Sequence, residues 1–257
     1  MNKYPKISIV TPSYNQGEFI EETILSVLNQ GYPNLEYIVI DGGSKDNTLA
    51  ILENYKDRLA YWVSEKDSGQ GNAINKGFRK ATGDIYGWIN SDDYYLPNTF
   101  EILAKAYVPN KYRFYYGDSL DLSENNMLSY TDANYVTDDF LRFGGLIASH
   151  AAFWDSRIHQ EVWEDMKCNV DGELWIRMLK GIKKKYIRKP LGVYRHHNEA
   201  KSSDEKWKAA WQKDGIRIEQ RYGPPPKARS YLRIKYLAYD KIFSLIRKIW
   251  KRPQPWR

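Results

Sequence analysis

The chain has 257 residues, of which 42% are hydrophobic and 15% aromatic, with a net charge of +7 and one cysteine, Cys168. That length suits one domain plus a tail, and a lone cysteine excludes an intramolecular disulfide and fits a reducing compartment. No stretch approaches the roughly 20 apolar residues that a membrane-spanning helix needs, and the short polar start, Met1 to Lys6, is not expected to act as a leader.

In chain order, Ile7 to Thr11 reads as a strand closed by Pro12. Gly17 to Gln30 has helical spacing, with Phe19, Ile20, Ile24, Val27 and Leu28 on one face. Leu35 to Ile40 is a second strand. Asp46 to Tyr55 is a helix with Ser44 or Asp46 as cap. Ala60 to Val63 is a third strand, Gly71 to Ala81 a helix stopped by Gly83, and Ile85 to Ile89 a fourth strand. This βαβαβαβ order predicts an α/β fold, with a mostly parallel sheet covered by helices on both faces. Ligands of such sheets bind beyond the carboxyl ends of the strands.

Polar clusters fall at those ends: Thr11-Pro12-Ser13-Tyr14-Asn15, Asp41-Gly42-Gly43-Ser44, Asp67-Ser68-Gly69-Gln70-Gly71-Asn72, and Asp92-Asp93. Each cluster alone reads equally as a turn. Their shared position predicts a nucleotide-sized site. Tyr14 offers a flat face for a base, and a carboxylate such as Asp41 can accept from a uracil or guanine N–H. The adjacent carboxylates of Asp92 and Asp93 repel each other unless a cation lies between them. Hard oxygen ligands select Mg²⁺ or Mn²⁺, ions that keep positions open for phosphates.

Ile7 to Asn15, Ile40 to Thr48 and Asn90-Ser91-Asp92-Asp93, in this order, resemble glycosyltransferase family 2, inverting enzymes of the GT-A fold. The resemblance spans about residues 5 to 200. It implies that Thr11, Tyr14 and Asp41 hold base and ribose, with Pro12, Asn15, Gly69 and Asn72 on the same nucleotide-binding rim. It implies Asp93 as direct metal ligand and Asp92 as a contact to ribose or metal. Two departures stand out: many members carry two acids where this chain has Asp41-Gly42, and many carry Asp at Asn90.

Further on, Val170 to Arg177 resembles the family's acidic segment before a helix, which aligns the catalytic base with Asp171. Read from the residues, Asp171 is equally a helix N-cap, and Glu173 is the next candidate base. In Tyr194-Arg195-His196-His197 the resemblance gives the last metal ligand to His197, with His196 as alternative. For His150 a packing role is expected ahead of a substrate contact, and Trp154 and Trp175 divide between sugar stacking and burial.

The expected division is a catalytic domain over 1–222, made of a nucleotide-binding half, 1–98, and an acceptor-binding half, 99–222. A basic amphipathic C-terminal helix follows over 227–257. Residues 227 to 257 hold ten Lys or Arg against Asp240, or +9, leaving residues 1 to 226 at −2. The basicity therefore belongs to the tail. Its basic and aromatic faces suit an anionic membrane surface or packing on the domain, and no nucleic-acid motif accompanies it.

The expectation is a divalent-metal-dependent inverting transferase using a nucleotide-sugar donor, with a UDP-sugar as first choice. The acceptor expected is a growing glycan, free or lipid-linked, in polysaccharide assembly. The expected location is cytoplasmic or peripheral on the inner face of the membrane. A sugar-nucleotide pyrophosphorylase would need a Gly-rich, Arg-containing phosphate loop near the start, which is absent. An inactive binding subunit would lack a base or a metal ligand.

Overall fold

The computed structural model describes residues 4–133, 136–138, 141, 147–198, 200–201 and 205–224. The tail expected over 227–257 lies outside the described residues.

The first half alternates as expected: β1 (Ile7–Ser13), α1 (Ile20–Leu28), β2 (Leu35–Asp41), α2 (Thr48–Tyr55), β3 (Tyr61–Ser64), α3 (Gln70–Phe78) and β4 (Ile85–Trp88). Then follow β5 (Tyr94–Tyr95), α4 (Thr99–Ala106), β6 (Phe114–Leu122), β7 (Leu128–Thr131), β8 (Ala152–Asp155), α5 (Val170–Met178), β9 (Lys184–Arg195) and α6 (Lys208–Tyr222). One mixed sheet runs β3-β2-β1-β4-β8-β6-β9-β5, with β7 beside β6. β3, β2, β1 and β4 are parallel, and β8 runs antiparallel between β4 and β6. The sheet continues unbroken past position 98, because β5 pairs with β9 and β9 with β6.

β1 is buried along its whole length, as a central parallel strand covered on both faces must be. Its alternate residues point to opposite faces. Val10 joins Ile38, Ile40, Trp88 and Trp154 under Ile74 and Phe78 of α3 and Leu174 and Trp175 of α5. Ile7 and Ile9 join Val39, Ile85 and Phe153 under Ile20 and Ile24 of α1, Leu52 of α2 and Phe100 of α4. Gly77 lets α3 approach β1 closely, since a Cβ there would stand 2.4 Å from Val10 Cγ1. Trp154 and Trp175 are 0% and 1% exposed, so both belong to the core and neither is available to a sugar ring.

Several helix boundaries differ from expectation: α2 starts at Thr48 with Asn47, not Ser44 or Asp46, at the cap position, and two other shifts have a visible cause. α1 starts at Ile20 rather than Gly17, because Gln16 O accepts from both Phe19 N and Ile20 N, and Gly17 N donates to Asp46 Oδ2. α3 ends at Phe78 rather than Ala81. Its continuation tightens into i→i+3 turns, with Lys80 N on Gly77 O and Ala81 N on Phe78 O.

Candidate functional site

The four polar clusters meet at the carboxyl ends of β1, β2, β3 and β4. The first two are stitched together. Gly42 N donates to Ser13 O at 2.8 Å, Asn15 N to Ser44 Oγ at 2.7 Å, and Lys45 N to Asn15 Oδ1 at 2.8 Å. Gly43 sits at φ +84°, where only glycine turns without strain. Tyr14 stands out from this rim, 58% exposed.

Three residues expected on the nucleotide site, Thr11, Pro12 and Asp41, lie buried beneath the rim. Thr11 is fully buried and its hydroxyl pairs with Tyr37 OH at 3.0 Å. Pro12, beside it, is also buried. Asp41 is 0% exposed. Its carboxylate accepts from Gly43 N, Ser44 N, Ser44 Oγ and Ser64 Oγ, which uses its lone pairs to shape the turn. A carboxylate so placed organises the rim rather than facing solvent.

At the third cluster Gly69 N donates to Asp67 Oδ1 at 2.9 Å. The Asn72 amide reaches Glu164 Oε2 at 2.8 Å and so pins the loop before α5. Lys201 donates to Gln70 Oε1 and Lys167 O, and burial lowers its pKa. The Gln70 amide donates to Asn90 Oδ1 at 2.9 Å, which links this cluster to the fourth.

The structure separates the two adjacent acids. Asp93 is 1% exposed; its Oδ1 accepts from Arg195 N at 3.1 Å, and its Oδ2 lies 3.4 Å from both His150 Nδ1 and Asn90 Nδ2. Burial raises its pKa, against the lowering effect of His150. The Asp92 side chain stays 21% exposed, and its Oδ2 lies 3.1 Å from His197 Nε2. The His197 ring rests on Phe19, with centroids 4.6 Å apart. His196 turns instead toward Asp121, at 3.7 Å. Among the described residues no group of three or more His, Cys, Asp or Glu side chains is arranged to hold a metal. The reachable pair is therefore Asp92 and His197. A carboxylate and an imidazole suit an ion that completes its shell with phosphate oxygens.

Asp171 lies in the first turn of α5 and is half-buried. It does not cap the helix. Asn169 occupies the cap position, and Asp214 of α6 accepts from the N–H groups of Lys167, Cys168 and Asn169. Asp171 Oδ1 accepts from Gly172 N at 2.9 Å. Burial pushes its pKa from the ordinary 3.8 up to about 6, partly offset by backbone N–H groups and by His150. Glu173 has a different fate. It is 0% exposed, gripped by Arg177 Nε and Nη2 at 2.9 Å each and by Tyr222 OH at 2.6 Å. A carboxylate held this way is a strut and cannot move to a substrate proton.

The role of His150 was invisible in sequence. It is 4% exposed and bridges Ser119 Oγ, at 2.6 Å, to Asp93. Its only sequence signal is the polar pair Ser149-His150 before the apolar stretch Ala151 to Trp154.

The comparisons agree with this geometry. The model of "Glycosyl transferase family 2" matches residues 8–144. The putative teichuronic acid biosynthesis glycosyltransferase TuaG of Bacillus subtilis is 30% identical over 218 residues, covering 81% of this chain and 86% of that protein. An uncharacterized glycosyltransferase of Rickettsia typhi is 40% identical over 97 residues, 38% of this chain, so this chain spans under a third (30%) of that relative's length. Staphylococcus aureus TarS 1-349 in complex with UDP-GlcNAc superposes with a TM-score of 0.63 at 17% identity, covering 83% of this chain and 66% of that one. The mannosyltransferase PcManGT from Pyrobaculum calidifontis, in complex with GDP-Man and Mn²⁺, gives 0.63 at 17% identity, covering 87% and 66%. At such identities the two structures speak to the fold alone, and that fold is GT-A. Sequence match, sheet order and rim geometry agree that this chain belongs to glycosyltransferase family 2.

Proposed function

We propose that the chain is an inverting glycosyltransferase that moves a sugar from a nucleotide-diphosphate donor, a UDP-sugar first, to a hydroxyl of a growing surface glycan. The observation that carries this reading is Asp171. It is a carboxylate with a pKa of about 6 in the first turn of α5, near enough to His150 to feel its charge, and no ion pair among the described residues holds it. A general base works best when its pKa lies near the working pH. Asp171 takes the proton of the acceptor hydroxyl as that oxygen attacks the anomeric carbon. The attack comes from the face opposite the departing diphosphate, which inverts the centre. The transition state is oxocarbenium-like, as in glycoside hydrolysis.

Asp92 and His197 would hold the divalent ion, Mn²⁺ or Mg²⁺, and Asp93 is tied to the Asp92 backbone through Arg195, whose N–H it accepts and whose Nε donates to Asp92 O. When bound, that ion supplies positive charge to the departing diphosphate. Tyr14, Asn15 and Gly69 line the nucleotide rim. One related structure is a complex with UDP-GlcNAc and another a complex with GDP-Man and Mn²⁺, which supports a nucleotide-sugar donor and a divalent ion. The name of the Bacillus relative supports a cell-surface polysaccharide as the product class. No helix among the described residues is long and apolar enough to cross a membrane. A lipid-linked acceptor would be met at the inner membrane face, where a segment with the composition of residues 227–257 favours anionic lipid.

The test is thermal stability across a panel of nucleotide sugars with Mn²⁺. A bound donor at 100 times its Kd should stabilise by about 2.7 kcal/mol. EDTA should remove that gain, and the product of transfer should have the inverted anomeric configuration by NMR. No stabilisation by any nucleotide sugar, or a retained configuration, would sink the proposal.

A further inference from the structure

Gly42 and Asp67 share one space. A Cβ built on Gly42 would stand 2.8 Å from Asp67 Oδ2, 3.1 Å from its Cγ and 3.2 Å from its Oδ1. The Asp67 carboxylate, arriving from the loop after β3, therefore fills the place that any side chain at position 42 would occupy at the end of β2. Gly42 N is bonded to Ser13 O, so exposed Tyr14 leaves the rim from the same point.

Asp41 and Asp67 divide the work of acceptance differently. Asp41 is buried, with both oxygens committed to the turn. Asp67 is half-buried. Its Oδ1 accepts from Gly69 N, while no hydrogen bond or ion pair among the described residues engages Oδ2. Burial raises the pKa of this carboxylate; the Gly69 N–H and then Lys76 oppose that rise. A partly desolvated oxygen with a spare lone pair at a ligand rim is an acceptor waiting for a donor.

We propose that Asp67 reads the donor's base, with Oδ2 accepting the imino N–H of uracil or guanine in the place left by Gly42. The assignment rests on the nucleotide-sugar reading above. It predicts a preference with a chemical origin. Uracil N3 and guanine N1 carry a hydrogen and can donate, whereas cytosine N3 and adenine N1 only accept. A carboxylate repels the latter two.

The test is calorimetric binding of UDP, GDP, CDP and ADP to the full chain with Mn²⁺, each variant first shown to melt cooperatively. Asp67→Asn is the sharpest variant. Gly69 N holds the amide oxygen in the Oδ1 position, so the NH₂ group takes the place of Oδ2 and faces the base. UDP or GDP, whichever the wild type prefers, should weaken by about 10- to 100-fold, the range for a lost charge-assisted hydrogen bond, while CDP and ADP should hold or gain, because an NH₂ group donates to the ring nitrogens that the carboxylate repels. Gly42→Ala should weaken the same nucleotide by pushing the carboxylate aside without removing its charge. In an Asp67→Ala background, Gly42→Asp should restore part of the loss by returning a carboxylate to the same space.

Wild-type affinity for UDP and GDP in Asp67→Asn would overturn the proposal. An equal loss for all four nucleotides would also overturn it, placing the carboxylate on the ribose hydroxyls instead. If the wild type binds no nucleoside diphosphate, the nucleotide-sugar reading itself fails and takes this assignment with it.

Discussion

The two ends of the parallel sheet use the same residue types to opposite effect. At the amino end Glu36 is surrounded by donors: Lys6 Nζ and Ser8 Oγ at 2.5 Å, Thr82 N and Thr82 Oγ1 at 2.7 Å. Burial pushes its pKa up, but those bonds more than offset the push and hold it at about 2. At the carboxyl end Asp67 and Asp93 are raised, as is Asp171 in the first turn of α5, with burial as the leading cause in each. A carboxylate whose desolvation is fully compensated holds the fold together. One whose desolvation is left uncompensated is costly to the fold, which is why such groups gather at functional sites.

That contrast can be broken most directly at Asp171. Asp171→Asn should lower transfer by about 10²- to 10⁴-fold, the usual worth of a general base, with donor binding kept and the melting temperature kept or raised, since a costly buried charge is removed. Near-normal transfer would hand the base role elsewhere. It could not go to Glu173, which is locked to Arg177 and Tyr222.

Next in size is the acid pair. Asp92→Ala should reduce Mn²⁺-dependent donor turnover by about 10²-fold or more, since a metal's charge is worth several kcal/mol at the transition state. Asp93→Ala should act mainly on stability, by about 1–3 kcal/mol, because it leaves buried donors unpaired. A wild-type rate indifferent to EDTA would remove the metal from the account.

The pH dependence separates the two ends by sign. Asp171 must be deprotonated to act, so the transfer rate should fall about tenfold per pH unit below about 6, and Asp171→Asn should flatten that limb. In stability terms a raised pKa works the other way. The contribution of Asp171 is fully present below its ordinary 3.8 and is lost as pH rises through about 6. Glu36 has the reverse sign: its contribution is present above its ordinary 4.5 and lost as pH falls toward about 2.

Smaller still is Glu36→Gln. It should cost about 1–3 kcal/mol of stability near neutral pH, the range for hydrogen bonds to a charged group. The rate constant should be unchanged, and the cost should shrink between pH 4.5 and 2, the interval set by its two pKa values. A loss of activity without a loss of stability would erase the distinction between the ends. The smallest effect belongs to a pair at neither end. Arg79 and Glu161 are each 54% exposed, so Arg79→Ala should change stability by under about 1 kcal/mol in urea unfolding.

Much of this protein is written locally. Apolar runs with period two or period 3.6, broken by Pro and Gly, mark β1 to β4 and the helices between them. Topology then brings Tyr14, Asp41, Asp67 and Asp92 to one rim. Those features are legible because each depends on neighbours in the chain. Family motifs also mark Asp171 and prefer His197 to His196. What only the tertiary structure decided is the state of each group. Asp92 meets His197 from 105 residues away, and Asp93 meets Arg195 from 102. Asp171 falls inside the first turn of α5, past the cap position held by Asn169, and accepts only from backbone N–H groups of that turn. Thr11 and Asp41 turn inward while Asp67 takes the space of a missing side chain. Burial and hydrogen-bond partners are set by contacts distant in sequence, and no periodicity or local motif encodes them. The chain's pattern therefore determines where the acids gather, and packing alone determines which of them are struts and which remain reactive.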